Sequence, residues 1–220
     1  SDTFSIVENL PAQRWVLASA KRVGGGRPVA VSPVTLRPRF NPHGAPEEPA
    51  LGELPASVDT RQLSLLGAGW TVGSLRHLAE AGAASVTYYE TVGWRGVMAG
   101  EGDSAFSQLW PSSPGAVYPV YHVLAAVGRC AGAMVLPTLV SKPLAVGALA
   151  LRCKYNLQLI VANLSGRAQQ VLVRGLGFEG RVRFLDERNA PAALAAPEDF
   201  WAQEPDAWRA QGGELRLELL

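Results

Sequence analysis

The chain has 220 residues, 48% of them hydrophobic and 18% charged, with a formal net charge of +1. That composition supports a packed core and excludes a disordered tail, and the length suits one large domain or two ordinary ones. The near-balanced charge leaves no electrostatic footprint for nucleic acid or for an anionic membrane. Arg outnumbers Lys 17 to 3, which compositional bias explains more simply than anion recognition. Cys130 and Cys153 make neither a disulfide framework nor a metal site, and the expectation is two free, buried thiols in a reducing compartment, the cytoplasm. His43, His77 and His122 are isolated, none at zinc-ligand spacing, so no metal and no cofactor is expected. No apolar run reaches membrane-spanning length.

The first residues, Ser1-Asp2-Thr3-Phe4, carry neither an initiator Met nor a signal-peptide pattern. The expectation is a chain that starts partway through a longer protein. Asn9-Leu10-Pro11 starts a helix, with Asn9 as cap and Pro11 in the first turn. The helix runs to Val23 and stops at Gly24-Gly25-Gly26. Those glycines follow a helix and precede a strand, the reverse of a phosphate-binding loop. Residues 28–36 form an apolar run typical of a strand buried on both faces, with an irregularity at Pro33. A loop rich in Pro, Gly and Glu continues to about residue 57.

Asp59-Thr60-Arg61-Gln62 has the form of a capping box. Leu63, Leu66, Trp70, Ser74 and Leu78 then keep helical spacing up to Gly82. The strand 84–90 follows at once and ends on Glu90, before a Gly93-Trp94-Arg95-Gly96 turn. Strand, helix and strand with a short return make a βαβ unit with parallel strands. Residues 97–115 form a long loop, functional or a lid, and residues 117–127 a helix. From 134 onward the texture changes to short alternating runs separated by turns, the pattern of an antiparallel sandwich. Asn163-Leu164-Ser165 matches a glycosylation acceptor by coincidence.

Two parallel strands and three helices cannot cover both faces of their own sheet. Residues 1–131 therefore read as the last quarter or so of a (β/α)8 TIM barrel, and residues 132–220 as a β-sandwich domain: α/β plus all-β. Such a half-barrel implies either self-association or a missing N-terminal barrel half.

Four runs resemble one family. They are Val7-Glu8-Asn9-Leu10, Ser32-Pro33-Val34-Thr35-Leu36-Arg37-Pro38-Arg39-Phe40-Asn41-Pro42, residues 85–96 and Tyr118-Pro119-Val120-Tyr121-His122-Val123-Leu124. Together they look like the C-terminal part of D-apionate lactonase. The resemblance implies a glycosidase-like barrel with a trailing β domain. Residues 28–36 and 84–90 would be the seventh and eighth barrel strands, and residues 1–8 the loop after the sixth. It also implies hydrolysis of a small sugar-acid lactone, with this chain a C-terminal fragment of the active enzyme and inactive alone.

Lactone opening needs a base to activate water and donors for the oxyanion. Glu90 suits the base. Arg37 and Arg39 leave the preceding strand's end on one side if the chain stays extended, and suit an oxyanion or a hydroxylated substrate. Trp94 offers a platform for a ring, and Arg95, Asn41 and Glu8 complete the candidate substrate contacts. Each has a plainer reading: a Glu90–Arg95 turn ion pair, arginines capping the rim, a packing Trp94, and a Glu8 favoured by the next helix's N-terminus. Glu101 and Asp103 read as solvated loop residues. A glycosidase of similar architecture is the main alternative, but it needs two carboxylates, and Val34-Thr35-Leu36-Arg37 holds none. A third reading is a truncated or structural chain without activity.

Overall fold

In the computed structural model of the chain, residues 2–38, 53–101, 108–177, 179–209 and 214–220 are described. Two helices come first, α1 (Thr3–Glu8) and α2 (Leu10–Val23). The described part of the segment expected as a loop is thus helical from Thr3 to Glu8. Asp2 caps α1 by accepting from the Ser5 N–H at 2.7 Å. Asn9 sits between the two helices, and its side chain donates back to the Ser5 carbonyl instead of capping α2.

Strand β1 (Ala30–Val34) pairs in parallel with β2 (Ser85–Tyr88). The register slips between Val31 and Val34, around the cis Ser32–Pro33 bond. A proline without an N–H cannot keep the ladder regular, so the irregularity falls where the sequence places it. Between these strands the expected single helix is divided. Asp59 caps a 3-10 helix (Thr60–Leu63), and Ser64 caps α3 (Leu65–Glu80) by accepting from the Gly67 N–H at 3.1 Å. Gln62 does not reach back to close a capping box; its amide donates to the Gly96 carbonyl at 2.7 Å. Helix α4 (Pro119–Gly128) follows the long loop.

Helix α3 lies at the centre of the molecule, with Thr71 and Ser74 fully buried. It packs against α2, α4 and the strand pair β4 (Val146–Arg152) and β5 (Leu157–Asn163). Its small residues let neighbours come close: a Cβ on Gly69 would meet the Asn163 carbonyl at 3.2 Å. β4 is buried along nearly its whole length, and full burial of Leu149 alone contributes about 2 kcal/mol.

The remaining described strands are antiparallel. β3 (Met134–Leu136) pairs with β4 and β4 with β5. β6 (Gln169–Arg174) pairs with β9 (Glu214–Leu219), and β7 (Glu179–Val182) with β8 (Asp206–Arg209). Two short helices, α5 (Ala190–Ala195) and α6 (Pro197–Ala202), precede β8. Asn163, in the would-be glycosylation sequence, accepts from the Ser165 N–H and donates to the Arg167 carbonyl.

The cysteines are not free. Cys130, just after α4, forms a disulfide with Cys153, just after β4, with Cα atoms 5.7 Å apart. Sequence spacing hides this because the two residues meet only in the fold, where α4 and β4 both pack on α3. By closing a loop with a sequence separation of 23, the bond contributes about 3 kcal/mol over the reduced chain.

Candidate active site

The site forms where β1 and β2 end. β2 stops at Tyr88, and Tyr89 adopts a left-handed conformation (φ 55°) while its N–H still donates to the Val34 carbonyl at 3.1 Å. Glu90 therefore lies just past the strand, not on it. Two buried hydroxyl bonds hold the tyrosines. Thr71 donates to the Gly67 carbonyl, so the Tyr89 hydroxyl, 2.8 Å from Thr71 Oγ1, is the donor of that pair. Ser74 donates to Gln13, so the Tyr88 hydroxyl donates to Ser74 at 2.9 Å. Burial pushes both phenols above their ordinary pKa, which keeps them protonated donors.

After Glu90 the chain closes on itself. The Glu90 N–H donates to the Arg95 carbonyl at 2.9 Å, and the Gly96 N–H to the Gly93 carbonyl at 2.7 Å. Gly93 has φ +93°, and a Cβ on Gly96 would sit 2.7 Å from the Val92 backbone, so the turn requires glycine at both ends. This closure brings Arg95 Nε within 3.2 Å of Glu90 Oε1. Their side chains are 39% and 33% exposed, so solvent weakens the pair to a modest ion pair.

Arg37 follows β1 and reaches Asp59 at 3.2 Å and the Ala56 carbonyl at 3.2 Å. Asp59, whose side chain is only 5% exposed, also accepts from the Arg61 N–H at 3.0 Å and from Nε and Nη2, one edge of the Arg61 guanidinium, at 2.8 and 2.5 Å. Burial pushes the Asp59 carboxyl up, but its bonds from Arg61 and Arg37 outweigh burial and hold it below its ordinary value. Arg95 reaches toward the same loop, donating to Ser57 Oγ at 3.1 Å.

Arg37, Asp59, Tyr89, Trp94 and Arg95 thus border one small recess of about 10 Å³, room for about one water molecule. Trp94 also packs against the main buried cluster. Of the residues expected from the sequence, Arg37, Trp94 and Arg95 meet here, with Glu90 one contact away through Arg95. Glu8 does not border the recess; it is the exposed last residue of α1. Arg39 and Asn41 lie outside the described residues, as does Asp103. Asp59, Arg61, Gln62 and Ser57 are additions. The alternation of acid and Arg in Asp59-Thr60-Arg61 was the available signal, since an Asp two residues before an Arg in a pre-helix loop can hold it bidentately.

A larger recess of about 160 Å³ lies between α1, α2 and α3, lined by Ser5, Ile6, Asn9, Gln13 and Trp70. It has no ionisable carboxylate or guanidinium and contains none of the candidate residues. Among the described residues, no group of three or more His, Cys, Asp or Glu could hold a metal ion, and no helix is long and apolar enough to cross a membrane.

The first 132 residues match the family model described as D-apionate lactonase, TIM barrel domain. The chain belongs to the D-apionate lactonase family. The match covers both strand ends and the whole charged cluster, and stops two residues after Cys130. No curated protein matches the chain.

Proposed function

We propose that this chain is the C-terminal portion of a hydrolase that opens a sugar-acid lactone of the D-apionolactone type. Residues 1–131 are then the end of the barrel, and residues 132–220 a β-sandwich unit packed on it. The observation that carries the reading is the meeting of Arg37 and Arg95 at the ends of two parallel strands, beside Glu90, in a chain of this family. The C-terminal ends of barrel strands are where such folds do chemistry. Glu90 takes a proton from water, the resulting hydroxide adds to the lactone carbonyl, and the arginines stabilise the oxygen that becomes negative. The intermediate then collapses, the acyl C–O bond breaks, and the ring oxygen leaves with the proton that Glu90 took. A closed barrel of this type has eight strands, and the matched segment holds two among the described residues. The other strands are supplied by further barrel sequence or by association. Glycoside cleavage is disfavoured because the end of β1 carries Arg37 and no acid. A cytoplasmic location is part of the proposal, although the Cys130–Cys153 bond argues against a strongly reducing compartment.

A second reading has its own support. Glu90 is paired with Arg95, and Arg37 with Asp59, and the recess has room for about one water, so the cluster also works as a structural clasp without turnover. Proton release from D-apionolactone, measured on this chain and on a version joined to upstream barrel sequence, separates the two. The extended protein is expected to hydrolyse the lactone, and its Glu90→Gln variant to lose at least about 100-fold in kcat with an unchanged unfolding transition. Unaltered turnover in Glu90→Gln would remove Glu90 from the mechanism. No turnover in either protein would favour the clasp.

A further inference from the structure

We propose that the recess between Arg37 and Arg95 is a carboxylate-binding site, so that the opened acid binds there more tightly than the neutral lactone and inhibits its own formation. The identity of the acid rests on the lactonase reading; the binding of a carboxylate does not. Three observations carry it. The first is charge. The guanidinium groups of Arg37, Arg61 and Arg95 face two carboxylates, Asp59 and Glu90, so three positive charges less two negative leave the cluster at +1. Arg61 and Arg37 occupy Asp59, and Arg95 is held against Glu90, while Asp59 stays ionised at neutral pH because its carboxyl lies below its ordinary value.

The second is size. A recess of about 10 Å³ admits one oxygen-sized atom and no sugar ring. A carboxylate oxygen fits that space and brings a full charge to two guanidinium groups, whereas a lactone carbonyl brings only a dipole. The third is the wall. The Tyr89 ring is buried, and Trp94 packs into the core beside it. These faces wall one side of the recess, while Arg37 and Arg95, 44% and 39% exposed, reach it from the solvent side, so an entering carboxylate meets them without desolvating the whole cluster. Hydrolysis adds water across the acyl C–O bond and yields a hydroxyl, a carboxylate and a released proton. Its product therefore carries the group that this recess favours.

The test uses the whole chain with acetate as probe and γ-butyrolactone as the neutral counterpart, at fixed ionic strength. The readout is the Trp94 indole N–H resonance, assigned by its loss in Trp94→Phe. Acetate is expected to shift this resonance saturably and butyrolactone at least 10-fold more weakly. Arg95→Gln should weaken acetate at least 10-fold, and Arg95→Lys should restore most of the binding; unfolding midpoints confirm that each variant is folded. A missing acetate response, an unchanged response in Arg95→Gln, or equal binding of the two probes would overturn the proposal. Acetate binding without lactone turnover in the extended protein would sink the lactonase reading and leave this one standing. Turnover that acetate neither inhibits nor accompanies with a shift would do the reverse.

Discussion

Asp59 shows how much one residue organises here. It sits 22 residues from Arg37 and two from Arg61, and it holds both. Its folded carboxyl is depressed, so its stabilising contribution is full above the ordinary value of 3.8 and is lost as pH falls below it. Chemical denaturation across acidic pH is expected to show wild type losing stability faster than Asp59→Asn below about pH 4. At neutral pH the variant should be less stable by about 2 kcal/mol, because charge-assisted bonds to two arginines are weakened. A parallel acid profile in both proteins would show that Asp59 is not a significant acid-sensitive group. The sequence reveals Glu90 and Arg95 as a pair because only four residues, one of them Gly93, separate them. It does not reveal Arg37 with Asp59, since a loop separates them and they meet only in the folded chain.

Among the elements, the junction between the 3-10 helix and α3 positions the site. Gly67 permits it: a Cβ there would lie 2.2 Å from the Arg61 carbonyl, a backbone atom that cannot step aside. Gly67→Ala is therefore expected to cost about 3 kcal/mol or more and to pull Arg61 away from Asp59. Gly73→Ala, whose Cβ meets only the tip of Leu10 at 2.7 Å, should cost about 1 kcal/mol. Equal unfolding midpoints for the two variants would contradict this. Helical spacing through Leu66, Trp70 and Leu78 identifies α3 from the sequence. The break at Ser64 is not legible, because Gln62, which could close a capping box at Asp59, instead bonds to Gly96 across the site. The Tyr89 turn is equally hidden, since nothing in a Tyr-Tyr-Glu run announces a positive φ.

For the whole molecule, the short runs after residue 132 lead to strands β4, β5, β6 and β9, but the expected contrast in burial is not met: β1 and β2 are exposed to half-buried, while β4 is buried along nearly its whole length. The short elements α5, α6 and β8 are not visible in the sequence, as six-residue helices opened by proline carry too little periodicity to register. Nor does composition show that a single buried cluster spans the change of texture, with Tyr118 and Val123 on one side and Leu149 and Leu151 on the other.

The disulfide runs across the same point and gives the chain a second covalent route. Leu139 lies inside the loop it closes and is fully exposed, which makes it a natural cleavage point for chymotrypsin. A cut there severs the polypeptide but not the molecule. Nicked protein should migrate as one band without reductant and as two with it, and separation of the halves without reductant would show that Cys130 and Cys153 are unpaired in solution. A break in the backbone between β3 and β4 would then be silent until the sulfurs are reduced.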